Sequence, residues 1–453
     1  MARSRLILAL IVFLAVAVGS GQMAAQNRNV AINVLLHVDI DDAVLADLGK
    51  YGRVVDTIVE IRAVMLRVRE SELAAIRRLP YVAAANPDAE RRGSPIDTVP
   101  VTDFTNGINT WDQDAIDVTD LEAGRVIAYD GAGVYVAVLD SGLLDSWRQY
   151  FPEQRIAVDY AKAFSGGGGE RGHVSEPTNV WEHDQNSHGT HVTSTILGYN
   201  FFGTAINGAA PMATVIPVKV LNQAGFGWSS LIARGIMYVA ELKAGPLAGH
   251  PVVINMSLGG PSLDAVEQEA IDYAISNGVI IVGAAGNEGG AGMSYPGAYG
   301  PVISVGASGW IDEWKSGSWW YASDVVDPTT PNDFYMTDFS SRALGGQDLD
   351  VVAPGSWVVG PYQLQSGKTS YYFLGGTSMA SPHVAGIVAL MLQKNTFLTA
   401  TMAEGILETT AIGLPPGCRD VLQPQGGVST FCWGADATGA GLATASAALL
   451  GTP

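Results

Sequence analysis

The chain has 453 residues, 47% of them hydrophobic and 15% charged, enough to bury a sizeable core and too apolar for a disordered protein. Its formal net charge of −19 would repel phosphate, so nucleic acid is not an expected partner. Length alone suggests two or three domains.

Residues 1–5 carry two arginines, residues 6–18 are apolar, and small residues follow through Ala25. This is the pattern of a signal peptide over residues 1–25, too short to be a membrane span. No later segment is long and apolar enough to cross a bilayer, so a secreted protein with no stable membrane span after signal removal is expected. In an exported chain the two cysteines, Cys418 and Cys432, are expected to form one disulfide. A loop of that size contributes roughly 3 kcal/mol in the chain-entropy view.

Residues 30–92 read as a small α+β unit. Strands are predicted at 30–38, 54–61, 63–68 and 81–85, with helices at 41–51 and 71–79, the second capped by Ser71. The order βαββαβ is ferredoxin-like. Residues 89–110 are polar and include Arg91-Arg92-Gly93-Ser94-Pro95, which reads as an exposed, cleavable linker.

After Trp111 the pattern changes. Near-continuous apolar runs at 134–139, 215–221, 252–256, 279–285 and 302–305 suggest a parallel sheet covered on both faces. Helical patterns lie between and after them at 189–197, 229–242, 263–276 and 379–393. An α/β domain of three layers follows. Ligands of such sheets sit at the C-terminal strand ends, where Asp140 and Asn287 fall.

Three segments bring chemistry together. Asp140 closes a buried strand in Val136-Ala137-Val138-Leu139-Asp140-Ser141-Gly142. His188 opens a helix in Asn186-Ser187-His188-Gly189-Thr190-His191. Ser378 follows two glycines in Gly375-Gly376-Thr377-Ser378-Met379-Ala380 and starts a buried helix. Alone, Asp140 and Ser378 are ordinary helix caps and His188 a packed histidine. A buried carboxylate, however, asks for a partner such as an imidazole N–H. The order Asp, His, Ser on an α/β sheet is that of a catalytic triad. His188, His191 and Asp184 lack the i, i+4 histidine pair around a glutamate that zinc peptidases use. His191 and His383 are therefore expected to be packed and hydrogen-bonded.

These segments resemble the three active-site signatures of the subtilisin-like serine proteases (subtilases, peptidase family S8). Ala284-Ala285-Gly286-Asn287-Glu288-Gly289 is similar to the family's oxyanion segment, and Ile254-Asn255-Met256-Ser257-Leu258-Gly259 to its cleft-lining segment. The resemblance implies an α/β, three-layer subtilisin-like domain with a mainly parallel central sheet over residues 96–453. It also implies a small α+β ferredoxin-like propeptide over residues 26–95. Ser378 would be the nucleophile, His188 the base, Asp140 its orienting acid and Asn287 the oxyanion donor. Gly225, Phe226 and Gly227 would form one wall of the cleft, and Ser257, Leu258 and Gly259 the other. Ala284, Ala285 and Ser294 would complete a pocket with no acidic residue, so cleavage after bulky apolar residues is expected.

The implied partners are protein or peptide substrates and the chain's own propeptide acting as an intramolecular inhibitor, with a monomer as the working form. Self-cleavage is expected within residues 92–106. No cofactor is required by triad chemistry. Structural calcium occurs in the family, but its usual ligand positions are not matched: the loop 141–149 lacks the acidic residue often used there. Residues 309–338, with Trp310, Trp314, Trp319 and Trp320, read as an aromatic-rich insertion, either a packed surface excursion or a binding surface, and packing is the reading favoured because aromatic clusters bury area. A secreted scaffold that only binds peptides would not need Asp140, His188, Asn287 and Ser378 together.

Overall fold

A computed structural model of the chain describes residues 28–100, 110–121, 123–164, 176, 180–315, 324–365 and 368–453. The expected signal segment, Trp319 and Trp320 lie outside the described residues. The chain divides into two compact units, the first made mainly of residues up to Asp88 and the second mainly of those from Ala89 onward.

The first unit holds strands β1 (Asn29–Leu36), β2 (Gly52–Ile58), β3 (Ala63–Arg69) and β4 (Val82–Pro87). Helix α1 (Asp42–Leu48) follows β1, and the single turn α2 (Leu73–Ile76) follows β3. The sheet order is β2-β3-β1-β4, the ferredoxin-like arrangement expected from the order βαββαβ. Inward residues Ile32, Val34, Leu66 and Val68 pack with Leu48 and Ile76 of the helices. Asp41 caps α1, its carboxylate accepting the Val44 N–H at 2.8 Å. The cap expected at Ser71 is absent. Ser71 lies inside a 3-10 turn, Glu70–Glu72, and the α-turn begins only at Leu73. The tighter turn takes up the residues that a longer helix would have used.

The second unit is built on an eight-stranded sheet. In chain order its first elements are β5 (Glu90–Arg92) and β6 (Asp97–Pro100), which lie outside that sheet, and α3 (Trp111–Ala115). The sheet strands and their helices follow: β7 (Tyr135–Asp140), β8 (Lys162–Ala163), α4 (His188–Leu197), β9 (Thr214–Lys219) and, outside the sheet, β10 (Phe226–Trp228). Then come α5 (Ser229–Ala244), β11 (Val252–Met256), α6 (Ala265–Ser276), β12 (Val279–Ala284), β13 (Ile303–Trp310), β14 (Phe334–Met336) and β15 (Val351–Pro354). A separate three-stranded antiparallel sheet, in which β16 (Val358–Gln365) and β17 (Lys368–Gly375) are joined by β6, leads into α7 (Thr377–Lys394). Helix α8 (Ala400–Thr410), the hairpin β18 (Gly417–Leu422) and β19 (Val428–Trp433), and α9 (Ala445–Gly451) end the chain.

The sheet order is β8-β9-β7-β11-β12-β13-β14, with β15 also beside β13. Its pairings are parallel apart from β13 with β14. Val136 and Val138 of β7 point into the core shared with Val192 of α4 and Val384 of α7. The alternate residue Leu139 faces Gly235 of α5, where a Cβ would stand 3.2 Å from its Cδ2. Helices therefore cover both faces of β7, the three-layer arrangement that its unbroken apolar run foretold.

Residues 90–100 are not the exposed linker that their polarity suggests. β5 pairs antiparallel with β10, and β6 with β17. Arg91 is fully buried on Glu267. The bonds that order this stretch are mostly main-chain, so they leave no apolar pattern in the sequence.

The tryptophan-rich region is packed where it is described. Trp310 ends β13 and stacks on Trp111 with centroids 6.4 Å apart, while Trp314 meets Phe373 at 5.0 Å. Phe334, Tyr335 and Met336 form the sheet strand β14. This part of residues 309–338 is thus integral to the sheet rather than an excursion from it.

Candidate active site

Asp140 is the last residue of β7, at the C-terminal end of a central strand. Gly142, at φ +91°, turns the chain there, and a Cβ on it would stand 2.4 Å from the Trp181 carbonyl oxygen. His188 is the first residue of α4. Gly189 beside it lets the helix approach the turn, since a Cβ there would lie 2.4 Å from the Gly142 oxygen. His188 Nδ1 lies 2.8 Å from Asp140 Oδ1 and 2.9 Å from Oδ2, and both residues are fully buried. The Ser141 N–H donates to Asp140 Oδ1 at 2.6 Å.

Asp184 and Lys219 back this turn. Asp184 accepts from Ser141 Oγ and from the N–H groups of Asn186 and Ser187, each at 2.8 Å. Lys219 donates to the Ser141 carbonyl. Burial pushes the Asp184 carboxyl up and the Lys219 ammonium down, and the charge of each opposes the shift of the other.

Ser378 is the second residue of α7, whose first four turns are wholly buried. Its Oγ donates to the Ser257 carbonyl at 3.2 Å, while His188 Nε2 is buried with no hydrogen-bond partner. Asn287 follows the end of β12. Its Oδ1 accepts from the Thr377 N–H at 2.9 Å and from Thr377 Oγ1 at 3.0 Å, leaving the Nδ2 donors for the cleft it lines with Ser378.

The two expected cleft walls are occupied by the chain itself. Arg92 and Gly259 exchange two N–H···O bonds of 2.9 Å, and the Gly93 N–H donates to the Gly225 oxygen at 3.0 Å. Phe226 and Gly227 pair with Arg92 and Arg91. On the far side of Ser378 the Ile96 N–H donates to the Gly375 oxygen at 2.7 Å. The span between these anchors carries the Ser94–Pro95 bond, and both residues line the same cavity of about 830 Å³ as Ser378. Gly225 has to be glycine: at φ +75°, a Cβ would stand 2.5 Å from the Gly93 oxygen. A Cβ on Gly93 would in turn lie 2.7 Å from Leu221 Cδ1 and 3.3 Å from His188 Cε1.

Leu258, Ala284 and Ser294 line this cavity, while the Ser257 hydroxyl donates to the main-chain carbonyl oxygen of Ser378 at 2.8 Å. Ala285 does not line it. Alternation along the strand turns Ala285 away to pack with Met293, Ala298 and Leu349. The pocket does contain an acidic residue that the sequence reading passed over. Glu288 lines it, its Oε2 accepting from Ser294 Oγ at 2.9 Å and Ser341 Oγ at 3.1 Å. Its place immediately after Asn287 was the available signal.

The other histidines are packed. Burial pushes His191 down to about 3, and its Nε2 faces the Val358 oxygen at 3.1 Å. His383 lies between the Met379 oxygen at 2.8 Å and Asp112 at 2.9 Å. Among the described residues neither belongs to a group of side chains placed to hold a metal ion. Among the described residues, Asp350, Glu404 and Glu408 bring carboxylate oxygens within 4.8 Å of one another, a donor set that fits a hard cation such as calcium. Cys418 and Cys432 face each other across β18 and β19 and form the disulfide.

A parallel α/β sheet with this site at its strand ends defines a serine-type peptidase of the subtilisin kind. The chain belongs to the subtilase family, whose model matches residues 131–438, a span containing Asp140, His188, Asn287 and Ser378. It is 34% identical to Subtilisin DY of Bacillus licheniformis over 300 residues, 65% of this chain and 90% of that protein. It is 36% identical to M-protease of Shouchella clausii (strain KSM-K16) over 284 residues, covering 63% of this chain and 60% of that one. Among solved structures, fervidolysin from Fervidobacterium pennivorans, a keratinolytic enzyme related to subtilisin, aligns with a TM-score of 0.65 at 24% identity. That alignment covers 94% of this chain and 62% of fervidolysin, and at this identity it speaks for the fold. Sphericase aligns with a TM-score of 0.53 at 27% identity, covering 75% of this chain and 99% of Sphericase.

Proposed function

We propose that the protein is a secreted endopeptidase that cuts peptide bonds through an acyl-enzyme formed on Ser378. One observation carries this reading. Asp140 holds one nitrogen of His188, and the other nitrogen is unpartnered beside a strand bound in the manner of a substrate. In the reaction Ser378 Oγ turns from the Ser257 oxygen to His188 Nε2 and gives up its proton as it attacks the carbonyl carbon. Asp140 fixes the tautomer and stabilises the imidazolium. Asn287 Nδ2 and the Ser378 N–H receive the negative charge on the carbonyl oxygen. His188 then protonates the leaving amine, and water repeats the sequence to free the acid. Loss of an oxyanion asparagine costs about 10²–10³-fold in kcat, a magnitude that comes from subtilisin, a relative of this chain.

Residues 26–95, which comprise most of the first unit and the tail that enters the cleft, act as a propeptide and intramolecular inhibitor of the domain from residue 96. The bond proposed for cleavage by Ser378 is Ser94–Pro95, which lies between the main-chain anchors at Gly93 and Ile96. Main-chain pairing on both walls gives broad specificity. The residue before the cut enters a pocket walled by Leu258, Ala284 and Met293, which favours bulky apolar side chains. The residue before that is held small by Leu221 and His188.

A casein or peptide assay with and without a serine-directed inhibitor tests the reading. Hydrolysis abolished by the inhibitor is expected. A purified, folded chain with no activity after its first unit has been removed would overturn it.

A further inference from the structure

Beyond Ser378, on the side taken by the leaving half of a substrate, a second cavity of about 940 Å³ opens. One of its walls is the hairpin of β18 and β19, which supplies Gln423, Thr430 and Phe431. The hairpin is braced by Cys418–Cys432, and Arg419 Nε donates to the Asn332 oxygen at 3.2 Å. Phe431 packs on the buried Tyr335 with ring centroids 4.7 Å apart, so its position is fixed from below. Trp357 lines the cavity as well.

Ile96 marks which substrate residue reaches this space. Its N–H is bonded to the Gly375 oxygen, it is the second residue after the Ser94–Pro95 bond, and it lines both cavities. It does not fill the second one, for it is 50% exposed. The lining is acidic. Glu288 and the exposed Asp338 both contribute, and no lysine or arginine lines it among the described residues. A carboxylate beside aromatic faces suits a long cation, which gains Coulombic attraction and ring-face contact together.

We propose that the β18–β19 hairpin builds a pocket for the second residue after the cut bond and that this pocket selects a long cationic side chain there. The proposal rests on the peptidase reading, and its test separates the two. The full chain is incubated until its activity is constant. It is then given internally quenched peptides that differ only at that position, carrying arginine, isoleucine or glutamate. A p-nitroanilide, which has no residue there, serves as the reference substrate. Arginine is expected to exceed isoleucine at least tenfold in kcat/KM, with glutamate slowest. Phe431→Ala and Asp338→Asn are each expected to cut the arginine-to-isoleucine ratio at least threefold, every rate being normalised to p-nitroanilide hydrolysis by the same variant. A ratio near one in the parent chain, or an unchanged ratio in both variants, overturns the pocket. A parent chain that hydrolyses neither the peptides nor the anilide overturns the peptidase reading instead.

Discussion

His188 Nδ1 stands within 2.9 Å of both carboxylate oxygens of Asp140, with neither side chain exposed. A buried carboxylate held this way fixes the ring so that Nε2 is the basic nitrogen. Asp140→Asn keeps the shape but reverses that preference. A fall in kcat on the order of 10⁴ is expected, with the circular dichroism spectrum unchanged. A loss under tenfold would mean that Asp140 serves the fold alone.

On the proposed reading Ser94–Pro95 is the bond presented to Ser378, and it is an unusual one. Proline offers a secondary amine as leaving group, has no N–H, and restricts the backbone just where the carbonyl must become tetrahedral. Pro95→Ala is expected to speed conversion of the full-length chain at least tenfold in a gel time course, with residue 95 as the new N-terminus. Equal rates for the two chains would show that this bond is not the one cut.

Arg91 anchors the same tail. It is fully buried with its Nε 3.1 Å from Glu267 Oε1, and a guanidinium N–H donates to the Ser262 oxygen at 3.0 Å. Removing one partner of a buried ion pair typically costs about 3–5 kcal/mol, because the other charge is left uncompensated. Arg91→Met is therefore expected to loosen the tail from the cleft. In a Ser378→Ala background, which cannot process itself, limited proteolysis would then cut within residues 89–96 much faster than in the parent. Equal protection in both chains would contradict this.

Stability is expected to depend on pH through buried acids. Burial pushes Asp114 and Asp350 up to about 7. The folded state then holds protons more tightly than the unfolded chain, whose aspartates titrate near 4. Between those values the folded state binds more protons, so unfolding free energy falls as pH rises through about 4 to 7 and levels off above. The Tm measured by calorimetry in calcium-free buffer should drop from pH 5 to pH 8, and Asp350→Asn should flatten that slope. A variant slope as steep as the parent's would remove Asp350 from the account.

The sequence made some parts of this molecule legible and hid others for physical reasons. β7, β11 and β12 announce themselves because both faces are covered, which forces an unbroken apolar run such as Val252-Val253-Ile254. Asp140, His188 and Ser378 are legible because each lies at or next to the end of a buried element beside small residues that allow close approach. The tail from Glu90 to Ile96 is different. Main-chain bonds to Gly225, Gly259 and Gly375 hold it, and its one buried charge meets Glu267, 176 residues away. Neither leaves a local pattern. Ala285 lies one step past the end of β12 and turns away from the pocket, and Glu288 is hidden because only one of the serines that hold it, Ser294, is near in sequence while Ser341 lies 53 residues on. Ser71 looked like a cap, but a 3-10 turn occupies that position.

The most direct test of the central claim is labelling of Ser378. The full chain, incubated until active, is treated with an organophosphonate probe beside a Ser378→Ala variant whose first unit has been removed by an added protease. The parent is expected to take one label and lose peptide hydrolysis in step with it, whereas the folded variant takes none and hydrolyses nothing. Labelling or hydrolysis that persists in Ser378→Ala would contradict the account.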